Sequence, residues 1–286
     1  MERAGVAKLA GMPQFQGCRD RIERATTHRE ALAKLWADWI DEDPYSVSIL
    51  VQRDGTGSMF IEPRNPVPRG WAIELGEILY HLRAALDGAV YQCAVIESGQ
   101  NPPPGHDRLE FPICATSTKF AKAAPQKIGV LSQECQDFIE SLQPYNAPKV
   151  RRHLAVFNMN RNLAIVNDWA RKDRHRTLHI IGGWASQASP KIRLPPGATL
   201  KYLHANNDGF LDVGREIATF AIEGYRRGMN VMGNPDLMID VGVSEEPTQI
   251  AKNDTLGNRL TGMIQTTTFI TLALEKLTRR ASGTQI

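Results

Sequence analysis

The chain has 286 residues, of which 42% are hydrophobic and 23% charged, and this balance is typical of a folded globular protein rather than a disordered one. Its formal net charge of +3 is too small to indicate nucleic-acid binding by the chain as a whole. No run of about 18 apolar residues and no apolar leader is present, so we expect a cytoplasmic protein without a membrane partner.

Helical and β patterns alternate in the first third of the chain. Residues 20–40 repeat apolar side chains at helical spacing and predict an amphipathic helix that ends before Pro44. Two β-rich runs, residues 45–52 and 58–62, flank an Asp-Gly turn and predict a hairpin. A longer helix is predicted over residues 70–97. Because it is apolar on most sides, we expect it at the centre of a bundle.

Two further helices and a group of strands are predicted in the remainder. A short helix is expected over residues 132–142, and a basic one over residues 149–178 that Gly182-Gly183 ends. Beyond Pro190, short β-type runs predict an antiparallel meander, and a last helix is expected over residues 254–279. We therefore predict one α+β domain: a helical bundle of about four main helices with an N-terminal β-hairpin and a C-terminal antiparallel β-meander. Its expected segments are residues 1–69, 70–183, 184–250 and 251–286.

Arg83 and Asp87 are the charged residues that stand out in the predicted central helix. They are four residues apart, so they share a helix face and can pair. Their neighbours are apolar or small, which predicts a partly buried pair. In one interpretation Arg83 binds a phosphate and Asp87 orients it; in the other, the two form a structural ion pair.

The basic segment carries most of the excess positive charge. Residues 149–176 contain eight Lys or Arg and two Asp, a local net charge of +6. The segment ends in Asp173-Arg-His-Arg176, where His175 suits general acid–base chemistry because imidazole titrates near pH ~6.5. The alternative is a cation-rich helix C-terminus, which the helix dipole favours. His175 and His179 also have the i, i+4 spacing of metal ligands, but spacing alone is weak evidence, and no metal or cofactor is predicted.

Four segments together carry a resemblance to a known family: Gly76-Glu-Ile-Leu-Tyr-His-Leu-Arg-Ala-Ala-Leu-Asp87, Phe111-Pro-Ile113, Leu142-Gln-Pro-Tyr145 and Asp173-Arg-His-Arg176. They resemble an uncharacterised bacterial and phage family with a Gly-Asp-Ile-Leu-His-Asn-Leu-Arg-Ser-Ala-Leu-Asp-His helix, Phe-Pro-Ile and Leu-Gln-Pro-Tyr segments, and an Asp-Lys-His-Arg box. That helix is in turn similar to HEPN domains, helical bundles that often act as metal-independent ribonucleases through Arg, four to six residues, then His.

The resemblance implies a ribonuclease-like activity if the protein is an enzyme. Gly88 stands where the relatives have the histidine of the central helix, whereas Arg174 and His179 fit the required spacing. The nearby His81, four residues after Glu77, is interpreted as a helix-surface histidine.

The leading hypothesis is a protein that binds RNA or another phosphate-bearing ligand where the central helix meets the basic segment. Arginines would contact phosphate, His175 would act as acid or base, and aspartates would orient these groups. The alternative is a non-enzymatic interaction or structural protein in which the same residues form a buried ion network, with a homodimer interface as one location for it. The residues of the predicted site are Arg83, Asp87, Asp173, Arg174, His175, Arg176 and His179.

Overall fold

Helices and antiparallel strands together form the predicted α+β fold. The computed structural model describes residues 14–147, 154–175, 180–206, 209–211, 213–234, 236–243 and 255–281. The helices are α1 (Gln16–Asp41), α2 (Trp71–Ser98), α3 (Ser117–Lys127), α4 (Gln133–Ser141), α5 (Leu154–His175) and α6 (Leu256–Ala281). The strands are β1 (Tyr45–Val51), β2 (Thr56–Pro63), β3 (Ile180–Ala188), β4 (Lys191–Arg193), β5 (Thr199–Ala205), β6 (Gly209–Phe210), β7 (Glu216–Glu223), β8 (Met232–Asn234) and β9 (Leu237–Val243). None of the helices described here is both long and apolar enough to cross a membrane.

The chain divides into two compact units. The helical unit comprises residues 1–31, 73–178 and 258–286, and the sheet unit comprises residues 32–72 and 179–257. The prediction that the whole chain forms one domain stays a prediction.

Helix α2 lies at the centre of the helical unit, as its sequence predicts. The side chains of Leu79, Leu82, Leu86 and Val90 are fully buried. The apolar residues of α2 cover more than one face, so the helix packs against neighbours on several sides. The core around α2 draws on every other helix of the unit. Its largest members outside α2 are Phe15, Phe111, Phe120, Ile128, Leu131, Ile139, Leu142, Leu163, Ile270 and Leu274.

The sheet unit is organised around the predicted hairpin. Strands β1 and β2 pair from Tyr45↔Pro63 to Val51↔Gly57. The second edge of β2 pairs with β7, and β7 pairs with β5, giving an antiparallel sheet in the order β1-β2-β7-β5. The N-terminal hairpin and two later strands, β5 and β7, therefore form one sheet.

The remaining strands are antiparallel, as predicted, but do not pair in chain order. Strand β3 pairs with β6 and β9, and β4 pairs with β8. Gly182-Gly183 lies within β3 and does not end a helix, which corrects the sequence interpretation. A side chain at Gly183 would collide with Ile239, and its backbone N–H donates to the Tyr45 hydroxyl at 2.8 Å. Glycine is needed there for this close approach.

Candidate functional site

Arg83 of α2 lies in a largely buried ion network. Its side chain is 11% exposed, and Nη2 donates hydrogen bonds to Phe111 O at 2.6 Å and to Glu110 Oε1 at 2.7 Å. The same Nη2 is 3.1 Å from Asp87 Oδ1, so the predicted pair is present. Lys127 Nζ donates to the other Glu110 oxygen at 2.7 Å. Two carboxylates therefore already share the charge of Arg83.

The Arg83–Asp87 pair of α2 binds both polar backbone groups of Phe111. Arg83 donates to its carbonyl oxygen, and its N–H donates to Asp87 Oδ1 at 2.9 Å. The Phe111 side chain is fully buried, so these groups would otherwise be removed from water without partners. The Arg83–Asp87 pair thus fixes the Phe-Pro-Ile segment against α2.

Gln143 joins the Leu-Gln-Pro-Tyr segment, to which it belongs, to the Phe-Pro-Ile segment. Its buried side chain donates to Pro112 O at 2.8 Å and to Ile139 O at 3.0 Å, and it accepts a hydrogen bond from the Cys114 N–H at 2.8 Å. From α5, Asn160 donates to the Gln143 carbonyl oxygen at 2.7 Å. The Leu-Gln-Pro-Tyr segment therefore also holds the Phe-Pro-Ile segment, through the carbonyl oxygen of Pro112.

The carboxylates of the Arg83 network have shifted pKa values. Burial raises the pKa of Asp87, against the opposing charge of Arg83. Glu110 shows the opposite shift: burial favours its neutral form, but the Lys127 hydrogen bond and the Arg83 charge outweigh burial and lower its pKa. Arg174 adds to this lowering. The end of α5 therefore lies within electrostatic range of the network.

Among the described residues of the basic segment, Asp173 lies against α2 at Gly76. Its Oδ2 lies 2.8 Å from the position that a Cβ on Gly76 would occupy, so the absence of a side chain at Gly76 gives Asp173 its place. Burial and the charge of Glu77 raise the pKa of Asp173. Gly76 precedes Arg83 by seven residues, a distance of about 10 Å along a helix axis. Asp173 therefore contacts α2 about two helical turns away from Arg83.

The other predicted site residues occupy different positions. Arg174 and His175 are exposed at the end of α5. His175 forms no hydrogen bond or ion pair with Arg83 or Asp87, all three of which the structure describes. Arg176 and His179 lie outside the described residues.

A second polar cluster lies where α1 and α2 pack together. His28 of α1 and His81 of α2 have stacked rings, with centroids 5.7 Å apart. His81 Nε2 is 4.0 Å from Glu77 Oε2, one helical turn away, and His28 Nδ1 is 2.8 Å from Glu74 Oε2. One ligand atom each from His28, Glu77 and His81 lie within 4.8 Å of one another, so these three residues could hold a metal ion.

Charges of both signs act on His81. Burial, followed by the neighbouring His28, lowers the pKa of His81, and the charge of Glu77 opposes the shift. Arg21 and Arg24 of α1 lower it further. His81 is therefore more than the surface histidine that its sequence position indicates, since it contacts a second helix through His28.

Compared with known proteins, the chain matches no family model, no curated protein and no solved structure. The resemblance to a bacterial and phage family and to HEPN domains stays a prediction.

Proposed function

We propose that the helical unit binds RNA or another phosphate-bearing ligand through phosphate contacts at the exposed end of α5. The observation that supports this proposal is the state of Arg174. Its side chain is exposed, and it forms no ion pair with any described residue, although its charge reaches Glu110. An exposed guanidinium of this kind is available for a bidentate contact to phosphate oxygens.

The surroundings of Arg174 favour an anionic ligand. The adjacent His175 is exposed too, and α5 belongs to the segment with a local net charge of +6. In the turn before, Arg171 and Lys172 both contact Asp168, at 3.2 and 2.9 Å. Phosphate contacts from such a surface are independent of base sequence and weaken as salt rises.

Arg83 has a different part in this proposal from the one that its sequence predicts. Its Nη2 already contacts two carboxylates and a carbonyl oxygen, so this nitrogen is poorly available to a phosphate group. Its Nη1 is buried and has no hydrogen-bond partner among the described residues, so an RNA phosphate would have to displace neighbouring atoms to reach it. Arg83 and Asp87 position the Phe-Pro-Ile segment, and Arg174 contacts the ligand.

The test is fluorescence anisotropy of a labelled single-stranded RNA over a range of salt concentrations. Arg174→Ala should weaken binding and reduce the slope of log K against log salt by about 1, because one phosphate contact is lost. Arg53→Ala is the matched control, since it removes an exposed arginine from the β1–β2 turn of the sheet unit. Equal binding by the two variants, or binding that does not respond to salt, would overturn the proposal.

The second candidate is a non-enzymatic structural or interaction protein, and the Arg83 network specifically favours it. Besides its pair with Asp87 inside α2, Arg83 contacts Glu110 and Phe111, and these contacts join α2 to a neighbouring segment, as a structural role requires. In this case no RNA binding is measured, and the network serves folding alone. A homodimer interface stays a prediction that light scattering of the purified chain can test.

A further inference from the structure

The cluster between α1 and α2 has the composition of a metal site. It contains two histidines and a carboxylate, the ligand types that Zn²⁺ and similar divalent ions select. In α2, Glu77 and His81 are four residues apart and therefore share one helix face. His28 comes from the other helix and faces them. A site that spans two helices is fixed by their packing and does not depend on a flexible loop.

The spacing of the ligand atoms is close to what a bound ion requires. Ligands at about 2.1 Å from Zn²⁺ are about 3.4 Å apart in a tetrahedral site. The ligand atoms of His28, Glu77 and His81 lie within 4.8 Å of one another. Small side-chain rotations would close this gap, and Glu77 has room for them because its side chain is 49% exposed.

One of the two histidines, His28, makes the second hydrogen bond that metal-binding histidines usually make. A histidine that binds metal through one ring nitrogen commonly donates the other N–H to a carboxylate. His28 Nδ1 lies 2.8 Å from Glu74 Oε2, and donation of this N–H leaves the lone pair of Nε2 free for a metal. His81 Nδ1 is buried without a hydrogen-bond partner among the described residues, so the ring is held by packing and its polar atoms are incompletely used.

The local charge also favours a cation. Glu74 and Glu77 bring two carboxylates to the cluster, and Asp173 adds a third because it lies against Gly76, next to Glu77. Arg21 and Arg24 of α1 oppose them. A divalent ion held by two neutral imidazoles and Glu77 would balance this excess of carboxylates.

We propose that His28, Glu77 and His81 bind one divalent transition-metal ion of the Zn²⁺ type, with Glu74 as the carboxylate that orients His28. Three protein ligands leave a fourth position for water or for an anionic group of a small ligand. The site stands on its own observations and does not depend on RNA binding at Arg174.

The test is calorimetric titration of the full, chelator-treated chain with Zn²⁺ alone, together with the visible absorption of bound Co²⁺ as a probe of tetrahedral geometry. The wild-type chain should bind one ion. Glu77→Gln and His81→Ala should each weaken binding by at least about tenfold, and Glu74→Gln by about 10–100-fold. His106→Ala, which removes an exposed histidine of the same unit, should bind as the wild type does.

Two results would overturn the proposal: no Zn²⁺ binding by the wild-type chain, or unchanged binding by a His28→Ala/His81→Ala double variant. Glu77→Gln keeps the test valid if the double variant does not fold, because Glu77 is half-exposed and its replacement is nearly isosteric. His175→Ala should retain the ion. Its loss in that variant would assign the metal to the i, i+4 pair His175 and His179 and would reject the present site.

Discussion

Arg83 donates a 2.6 Å hydrogen bond to the carbonyl oxygen of Phe111, across 28 residues of sequence. This bond, with the one from the Phe111 N–H to Asp87, makes α2 the support for a segment without regular structure. An irregular segment in a core needs such partners, because its backbone groups have no helix or sheet to bind them. The Arg83–Asp87 pair therefore has a structural task whether or not RNA binds.

Replacement of Arg83 by alanine should lower the free energy of unfolding by about 3–5 kcal/mol, since it removes a buried guanidinium, the partner of the Phe111 carbonyl group and of the partly buried Asp87 carboxylate. Urea denaturation measures the loss. Arg108→Ala is the control: it removes an exposed arginine close to the same segment and should change stability by no more than about 0.5 kcal/mol. An Arg83→Ala protein as stable as the Arg108→Ala protein would show that the network contributes nothing to folding.

The absence of a side chain at Gly88 should prove to be a packing requirement. A Cβ at this position would lie 3.1 Å from Cys18 Sγ of α1. Gly88→His, which introduces the histidine that the family resemblance predicts at this position, should destabilise the protein by about 1–3 kcal/mol or more through overpacking. Gly88→Ala should cost less, because alanine regains about 1 kcal/mol of helix propensity.

The comparison for Gly88 is Gly17→Ala in α1, where nothing lies within 4 Å of the added carbon, so its melting temperature should not fall. If thermal unfolding shows Gly88→His to be as stable as the wild type, α1 does not restrict this position, and the histidine pattern could be rebuilt here.

Glu110 should make stability depend on pH in the acid range. Its pKa in the folded protein lies below the ordinary value of 4.5, so it contributes stability above pH 4.5 that is lost as the pH falls through the lower, folded pKa. Asp87 has a raised pKa in the folded protein, so its ionisation lowers the free energy of unfolding as the pH rises above its ordinary value of 3.8.

The two contributions can be separated with Glu110→Gln. The difference in stability between the wild type and this variant should shrink as the pH is lowered below 4.5, as measured by urea midpoints. A difference that stays constant from neutral pH down to pH ~3 would mean that Glu110 gains nothing from Lys127 and Arg83.

An acid–base role for His175 predicts a separation of activity from stability. His175→Ala should abolish any RNA cleavage seen in the presence of a metal chelator, while the melting temperature stays nearly unchanged because the side chain is exposed. His204→Ala, an exposed histidine of β5, is the control and should cleave at the wild-type rate. Equal cleavage by both variants would exclude His175 as the catalytic base.

Local sequence patterns predict the features that depend on neighbouring residues. The apolar faces of α2 follow directly from its periodicity, and the β1–β2 turn follows from Asp54-Gly55. Helix α3 was not predicted: it contains Pro125 and few apolar residues, and it depends on a cap in which the Thr116 side chain accepts from the Lys119 N–H.

Long-range packing could not be predicted in the same way. Glu77 and His81 are visible as an i, i+4 pair, but His28 lies 53 residues before His81, and only the packing of α1 on α2 joins them. The same holds for Gly76, whose lack of a side chain has meaning only once Asp173 is seen beside it. Such contacts depend on tertiary structure, which periodicity does not encode.

The pairing of Thr56 with Ala221 joins strands that are 165 positions apart. At synthesis rates of about 5–20 residues per second, β2 waits about 8–33 s on the ribosome before β7 exists. During that time the edge of β2 that later pairs with β7 has unpaired backbone groups. The side chains of Met59 and Ile61, which are buried in the folded protein, are not yet covered by the later strands. A nascent chain of this protein therefore exposes an unpaired strand edge, to which chaperones or neighbouring chains can bind before β7 pairs with it.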